Sequence, residues 1–256
     1  MIRTLVITPC SAKKRSDCLG SDERVPDPAL AADLADPERR QQANARLAGH
    51  ALPAAEMYTG THHRLVMEGV RAVWQQWGRE VLDLAILSGG YGILRAEEPI
   101  IPYDVTFDQF EGDALVDWGA RLQVPDKVAA LAGQYDLVFL LLGGSYLAVL
   151  SLPLDVPDSV QQVILTDQDS LALVPAQANV HPIVAAEAVA ARRWHVKAPH
   201  VRGFLFRRIC AQVVQHGPGL LEWLYHHPED TELLFYKSPP WRPQLAFWQE
   251  TGTRSL

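Results

Sequence analysis

Apolar residues run together along this chain in short uninterrupted blocks, not in alternation. Thr4 to Thr8, Leu84 to Leu87, Leu137 to Leu142 and Val163 to Leu165 are uniformly hydrophobic or nearly so, and each ends in small polar residues. A strand buried on both faces reads this way, because neither side of its pleat meets water. Strands are expected at 3–9, 82–87, 136–142 and 160–165. Between 61 and 78, Val66, Val70, Val73, Trp74 and Trp77 recur at helical spacing, and Gly78 is placed to end that helix. Asp36-Pro37 opens another helix, with Asp as N-cap and Pro at the first helical position. Residues 113–132 read as helix interrupted near Pro125; 183–196, 202–215 and 219–227 also read as helical. The stretch 16–55 is a long insertion of the sort that covers a site. The tail from Tyr236, with Ser-Pro-Pro-Trp-Arg-Pro, cannot be helical.

Alternation of buried strands and helices predicts an α/β fold, a mostly parallel sheet with helices on both faces. We expect an α/β core over 1–180, and a basic helical extension over 181–256 packed on it. In such sheets ligands bind beyond the carboxyl ends of the strands. The polar turns after the four strands, at Cys10-Ser11, Ser88-Gly89-Gly90-Tyr91, Gly143-Gly144-Ser145-Tyr146 and Thr166-Asp167, are therefore expected to meet at one crevice.

With 256 residues, 48% of them hydrophobic, the chain can bury a full core. No apolar run reaches the roughly 18 residues a membrane helix needs, and the first residues read as a strand, not a signal peptide, which points to the cytoplasm. Three cysteines, Cys10, Cys18 and Cys210, at unrelated spacings argue against structural disulfides and against a zinc site. His62 and His63 are neighbours on a helix and so diverge, which is no metal pair; no structural metal is expected, and no cofactor is implied. The net charge of −7 argues against indiscriminate coating of nucleic acid, yet it is unevenly spread. Between Glu187 and Glu222 no acid occurs, while Arg192, Arg193, Lys197, Arg202, Arg207 and Arg208 do. That stretch is either a face for a nucleic-acid backbone or a set of solvated and ion-paired side chains.

Several motifs are excluded. A phosphatase loop needs five residues between Cys and Arg, but four separate Cys10 from Arg15 and position 16 is serine. Gly143-Gly144-Ser145-Tyr146-Leu147 lacks the last glycine of a nucleophile elbow. Neither a dinucleotide-binding fingerprint nor a Walker loop is present. The remaining groups suit a planar, anionic ligand. Lys13 and Lys14 are candidates for phosphate, and the Ser88-Gly89 and Gly144-Ser145 turns for backbone donors. Tyr91, Tyr103 and Tyr146 are candidates to stack on a base, and Asp104 to read an exocyclic amine or exchange protons. Thr59, after Tyr58, is either an anion contact at a helix N-terminus or a plain N-cap. An exposed Cys10 would suit redox sensing.

Three segments in order, Thr8-Pro-Cys10-Ser11-Ala-Lys13-Lys14, Tyr58-Thr59-Gly60, and Leu87-Ser88-Gly-Gly-Tyr91-Gly-Ile-Leu-Arg95 with Pro102-Tyr103-Asp104, resemble the pattern of the YaaA peroxide-stress proteins. The first also resembles a motif of archaeosine synthase, which acts on a deazaguanine base in transfer RNA. The resemblance covers about residues 1–150. With the strand-end groups, it supports a protein that binds a nucleobase or nucleotide within DNA or RNA and modifies it; the residues themselves, not the family pattern, suggest Asp104 and Lys13 as catalytic. Lys14, Cys10, Ser11, Tyr58, Thr59, Ser88, Gly89, Tyr91, Tyr103, Gly144, Ser145 and Tyr146 would hold the ligand. A non-enzymatic DNA-binding stress protein is the rival expectation, and an enzyme on a free nucleotide a third. Asp104 stands where the YaaA pattern has arginine, and no helix-hairpin-helix element is evident.

Overall fold

In a computed structural model, residues 2–15, 28–185 and 187–235 are described. Cys18 and the tail from Tyr236 lie outside them. The chain runs through β1 (Thr4–Pro9), α1 (Ala31–Ala35), α2 (Pro37–Arg46), β2 (Leu52–Pro53), α3 (Ala54–Met57), α4 (Thr61–Trp77), β3 (Asp83–Ser88), β4 (Gly92–Arg95) and β5 (Pro99–Ile100). It continues through α5 (Gly112–Arg121), α6 (Val124–Ala132), β6 (Leu137–Leu140), α7 (Gly144–Ala148), β7 (Gln161–Thr166), β8 (Val180–Val184), α8 (Glu187–Trp194), α9 (Val201–His216) and α10 (Gly219–His226).

The six-stranded sheet has the order β4-β3-β1-β6-β7-β8. All its pairings are parallel except β3 with β4. The fold is thus α/β, and the four expected strands are its four central members. Two edge strands were not expected. β4 follows the β3 turn so closely that its Gly-Ile-Leu-Arg reads as part of the turn. β8 carries Pro182, which demotes a run from strand when read in isolation but is tolerated at an edge. For the same reason the helix expected from 183 starts only at Glu187, and the division expected near residue 180 falls within β8.

Side chains alternate across the sheet, so each strand feeds two core layers. Leu5 and Ile7 join one layer and Val6 the other; Val138 and Leu140 oppose Leu137 and Phe139. The first layer is closed by Leu34, Trp118, Val124 and Val128 from the α1, α5 and α6 side. The second is closed by α4 and α9, through Val66, Val70, Phe206 and Ile209. The C-terminal helices thus pack on the sheet, with α9 and α10 contributing to this second layer. Asp36 caps α2 by accepting from the Arg39 amide at 2.9 Å, as its sequence suggests. The break near Pro125 occurs at Gln123, which is left-handed at φ 56°, with Pro125 in the first turn of α6. Among the described residues no helix is long and apolar enough to cross a membrane.

Candidate functional site

β1 and β6 are neighbours, yet the chain leaves β1 toward β3 and leaves β6 toward β7, on opposite sides. Their carboxyl ends diverge, and the opening between them is where this class of sheet binds ligands. A crevice of about 440 Å³ lies there. Pro9, Cys10 and Ser11 leave β1 into it; Gly143, Gly144, Ser145 and Tyr146 leave β6; Asp167 leaves β7. The first turn of α4, from Gly60 to His63, forms another wall, and Pro199, His200 and Arg202 at the start of α9 close it. The segments after three of the four strands thus share one hollow.

At its floor the Cys10 thiol and the Tyr146 hydroxyl are 3.1 Å apart. Cys10 is buried at 8% exposure, which corrects the expectation of an exposed redox thiol. Arg202 donates to Asp167 at 2.9 Å across the top, and Asp167 accepts from the Ser170 amide at 2.8 Å. Ser170 Oγ in turn accepts from the Gly144 amide at 2.8 Å, so that amide is already used inside the protein. Ser145 donates to the Asp108 carboxylate at the rim. Thr8 ties β1 to α4 through His62 Nε2, 3.0 Å away.

α4 begins at Gly60 with no side-chain cap. Thr59 is therefore not its N-cap; its amide donates to the Lys13 carbonyl at 3.0 Å, part of an antiparallel pairing of residues 13–15 with 57–59. Without a capping side chain, the positive end of a long helix is presented to the crevice. Tyr58 and Thr59 line a separate hollow of about 420 Å³ beside Arg15, Arg64 and Arg71.

The Ser88-Gly89-Gly90-Tyr91 turn behaves differently from the other three. Ser88 Oγ accepts from the amides of both Gly90 and Tyr91, at 3.1 Å each. Its two lone pairs are then occupied, so its own hydrogen is donated to Tyr103, at 2.7 Å. Tyr103 passes the next hydrogen to Tyr58, also 2.7 Å away. Both tyrosines are buried, at 2% and 3% exposure, and Lys14 Nζ sits 4.0 Å above the centre of the Tyr103 ring. Neither face of this arrangement is open to a base: the turn and Tyr103 brace the fold beside the crevice and do not line it. Tyr91 lies on the far side, edge-on to Tyr103 with ring centroids 5.3 Å apart.

Burial, and then the adjacent Cys10, push the hydroxyls of Tyr58, Tyr103 and Tyr146 well above the usual phenol range, so all three are neutral donors. Burial pulls the Lys14 amine below its usual value, opposed by Cys10 and Asp104. Asp104 itself is exposed, as is Lys13, and neither lines the crevice. The two residues expected to be catalytic thus stand outside it, while Lys14 is turned inward.

Of the basic stretch, Arg202 alone enters the crevice. Arg207 pairs with Glu68 at 2.8 Å, and Arg193 and Arg208 lie 5.5 and 5.3 Å from the Trp194 ring centre. Arg192 and Lys197 are exposed. His62, His200 and Asp108 are crevice residues that sequence reasoning did not select, whereas Asp167 belongs to a strand-end turn expected there. Asp167 carries the same strand-end signal as Ser145; Asp108 comes from a loop with no such mark. Among the described residues no group of three His, Cys, Asp or Glu is placed to hold a metal.

The wall of α4 has a consequence for pH. Burial, and then Arg202, pull the pKa of His62 down to about 3, and burial pulls that of His63 to about 4. Unfolded, each titrates near 6.5. Below about pH 6.5 the unfolded chain therefore binds protons that the folded one does not, and stability falls by up to about 1.4 kcal/mol per pH unit for each imidazole. The urea midpoint is expected to drop between pH 7 and pH 5, and to drop less in a His62→Gln, His63→Gln variant. Equal slopes in the two proteins would contradict this.

No protein-family model matches the chain, and no curated protein does.

Proposed function

We propose that this protein binds a nucleotide unit of a nucleic acid in the β1/β6 crevice and acts on its base. One observation carries the reading: the uncapped start of α4 and the Arg202 guanidinium face the same hollow at the switch point of a parallel sheet. Helix N-termini and arginine both suit phosphate, one through aimed amides and the other through a planar fork. Cys10, Tyr146 and Pro9 form a less polar floor suited to a base or sugar. The Ser145–Asp108 pair and the Cys10–Tyr146 pair are the groups at the walls able to exchange protons with a bound base. The resemblance of Pro9-Cys10-Ser11 and Leu87 to Arg95 to YaaA-like proteins supports the same class of ligand. Asp104 and Lys13 then act on chain that passes outside the crevice. Arg192 and Lys197, exposed on the same acid-free stretch as Arg202, favour a second reading in which a duplex is bound without chemistry.

Native mass spectrometry of freshly purified protein is expected to show a co-purifying nucleotide or oligonucleotide. Fluorescence anisotropy with labelled oligonucleotide is expected to show affinity falling log-linearly with salt, by about 0.7 per neutralised phosphate for a single strand. Arg202→Ala should weaken binding by about tenfold or more, since a charged hydrogen bond contributes roughly 1.5–3 kcal/mol and Asp167 is left without its partner. A flat salt response with no co-purified nucleotide would sink the proposal. Undiminished duplex binding by Arg202→Ala would transfer it to the second reading.

A further inference from the structure

On the same rim, beyond β3, a hollow of about 300 Å³ is enclosed by α2, the β3–β4 turn and the junction of α5 with α6. Among the described residues three cations line it, Arg40, Arg121 and Lys127, together with Tyr91, Trp118 and Leu34, and no carboxylate does. This differs from the crevice, where Arg202 is matched by Asp167, and from the hollow along α4, where Glu56 and Glu68 face the arginines. Arg40 is held in place: Nε donates to the Leu34 carbonyl at 3.1 Å and Nη2 to the Gly90 carbonyl at 3.2 Å, while Nη1 makes no hydrogen bond to the described residues. Its guanidinium also lies 5.7 Å from the centre of the Tyr91 ring. The side chains of Arg121 and Lys127 are exposed and make no hydrogen bond or ion pair with the described residues. Three like charges around one concavity repel each other and gather an anion, and a guanidinium pinned on one edge offers the other without further ordering cost.

We propose that this hollow is a phosphate-binding site, taking the phosphate of a nucleic-acid strand that extends from the crevice past Tyr91. In that form it rests on the function proposed above. Phosphate binding at the hollow by itself does not. Arg40 fixes the phosphate laterally, and Arg121 and Lys127 close over it from the α5–α6 junction. The inference also gives Tyr91 a place at a ligand site although the Ser88 turn beside it is internal. The basic stretch at 192–208, by contrast, lies on the opposite side of the sheet's centre, with α9 in the other core layer.

The test uses the full chain, with a labelled single-stranded oligonucleotide and, separately, inorganic phosphate as ligands. The variant carries Arg121→Ala and Lys127→Ala, both exposed, with Arg121→Glu as a second variant and thermal midpoints as a control for folding. The double variant is expected to bind oligonucleotide at least about tenfold more weakly, with the log–log salt slope reduced by about 0.7 for the one phosphate no longer neutralised. Arg121→Glu should give a comparable loss from a single change. Loss of inorganic phosphate binding in the double variant, with oligonucleotide binding unchanged, would keep the site but overturn the strand as its source. Wild-type affinity of the variants for both ligands, or no binding of either ligand by the wild type, would overturn the site itself. Arg202→Ala reads the crevice independently: its effect without an effect at Arg121 and Lys127 fails this inference alone, and the converse fails the crevice reading alone.

Discussion

Tyr103→Ala is expected to cost about 3–5 kcal/mol, the range for removing a fully buried large side chain, and so to lower the thermal midpoint by on the order of 10 °C in a chain of this size. The ring is 2% exposed, meets Tyr58 and Tyr91 edge-on, and its hydroxyl is the middle member of the Ser88–Tyr103–Tyr58 chain. Truncation would open a cavity and also leave two buried hydroxyls short of a partner. The Tyr103→Phe variant separates these effects: it keeps the packing and should cost about 1–3 kcal/mol for the unpaired groups. Differential scanning calorimetry of the three proteins measures both steps. A midpoint for Tyr103→Ala within 2 °C of wild type, with an impaired ligand affinity, would return Tyr103 to the binding surface that its sequence motif suggests.

Gly89→Ala should be nearly as damaging, and for a different reason. A Cβ at position 89 would lie 2.6 Å from Thr106 Cα and 2.8 Å from the Thr106 carbonyl carbon. Both are backbone atoms and cannot swing aside. The Gly89 carbonyl also accepts from Trp118 Nε1 at 2.7 Å, so relieving the clash would pull on α5. Overpacking of this kind costs about 3 kcal/mol, sometimes more. Gly144→Ala is the matched control: the nearest atom to a Cβ there is Ser170 Oγ at 3.9 Å, and the urea midpoint should stay within error of wild type. If the two alanine variants unfold at the same urea concentration, the Thr106 backbone does not crowd position 89.

Both predictions concern a motif that is conspicuous in the sequence for one reason and matters in the fold for another. Leu-Ser-Gly-Gly-Tyr at a strand end signals a tight polar turn, and that much was readable. Whether the turn offers its amides outward or spends them inward depends on where the Ser88 hydroxyl points, and it points at its own Gly90 and Tyr91 amides. Lys13 and Lys14 teach the same lesson. Adjacent residues on extended chain face opposite ways, so one becomes solvated and the other lies over Tyr103, yet the sequence presents them as an equivalent pair. The ion pairs of the basic stretch were equally hidden. Arg202 and Arg207 meet acids 35 and 139 residues away, Asp167 and Glu68, and no local pattern records such a distance.

Read by itself, the sequence determined the α/β class, the four central strands and the rim on which their polar ends gather, because burial on two faces leaves an unbroken apolar run that nothing else in a chain of this composition explains. Tertiary structure alone decided the order of the strands and hence the switch point between β1 and β6. It also decided which polar groups are left over for a ligand once the protein has satisfied its own. That remainder is a difference between what the chain offers and what its interior consumes, and partners such as Ser170 under Gly144 and Asp167 under Arg202 are brought up by distant parts of the chain.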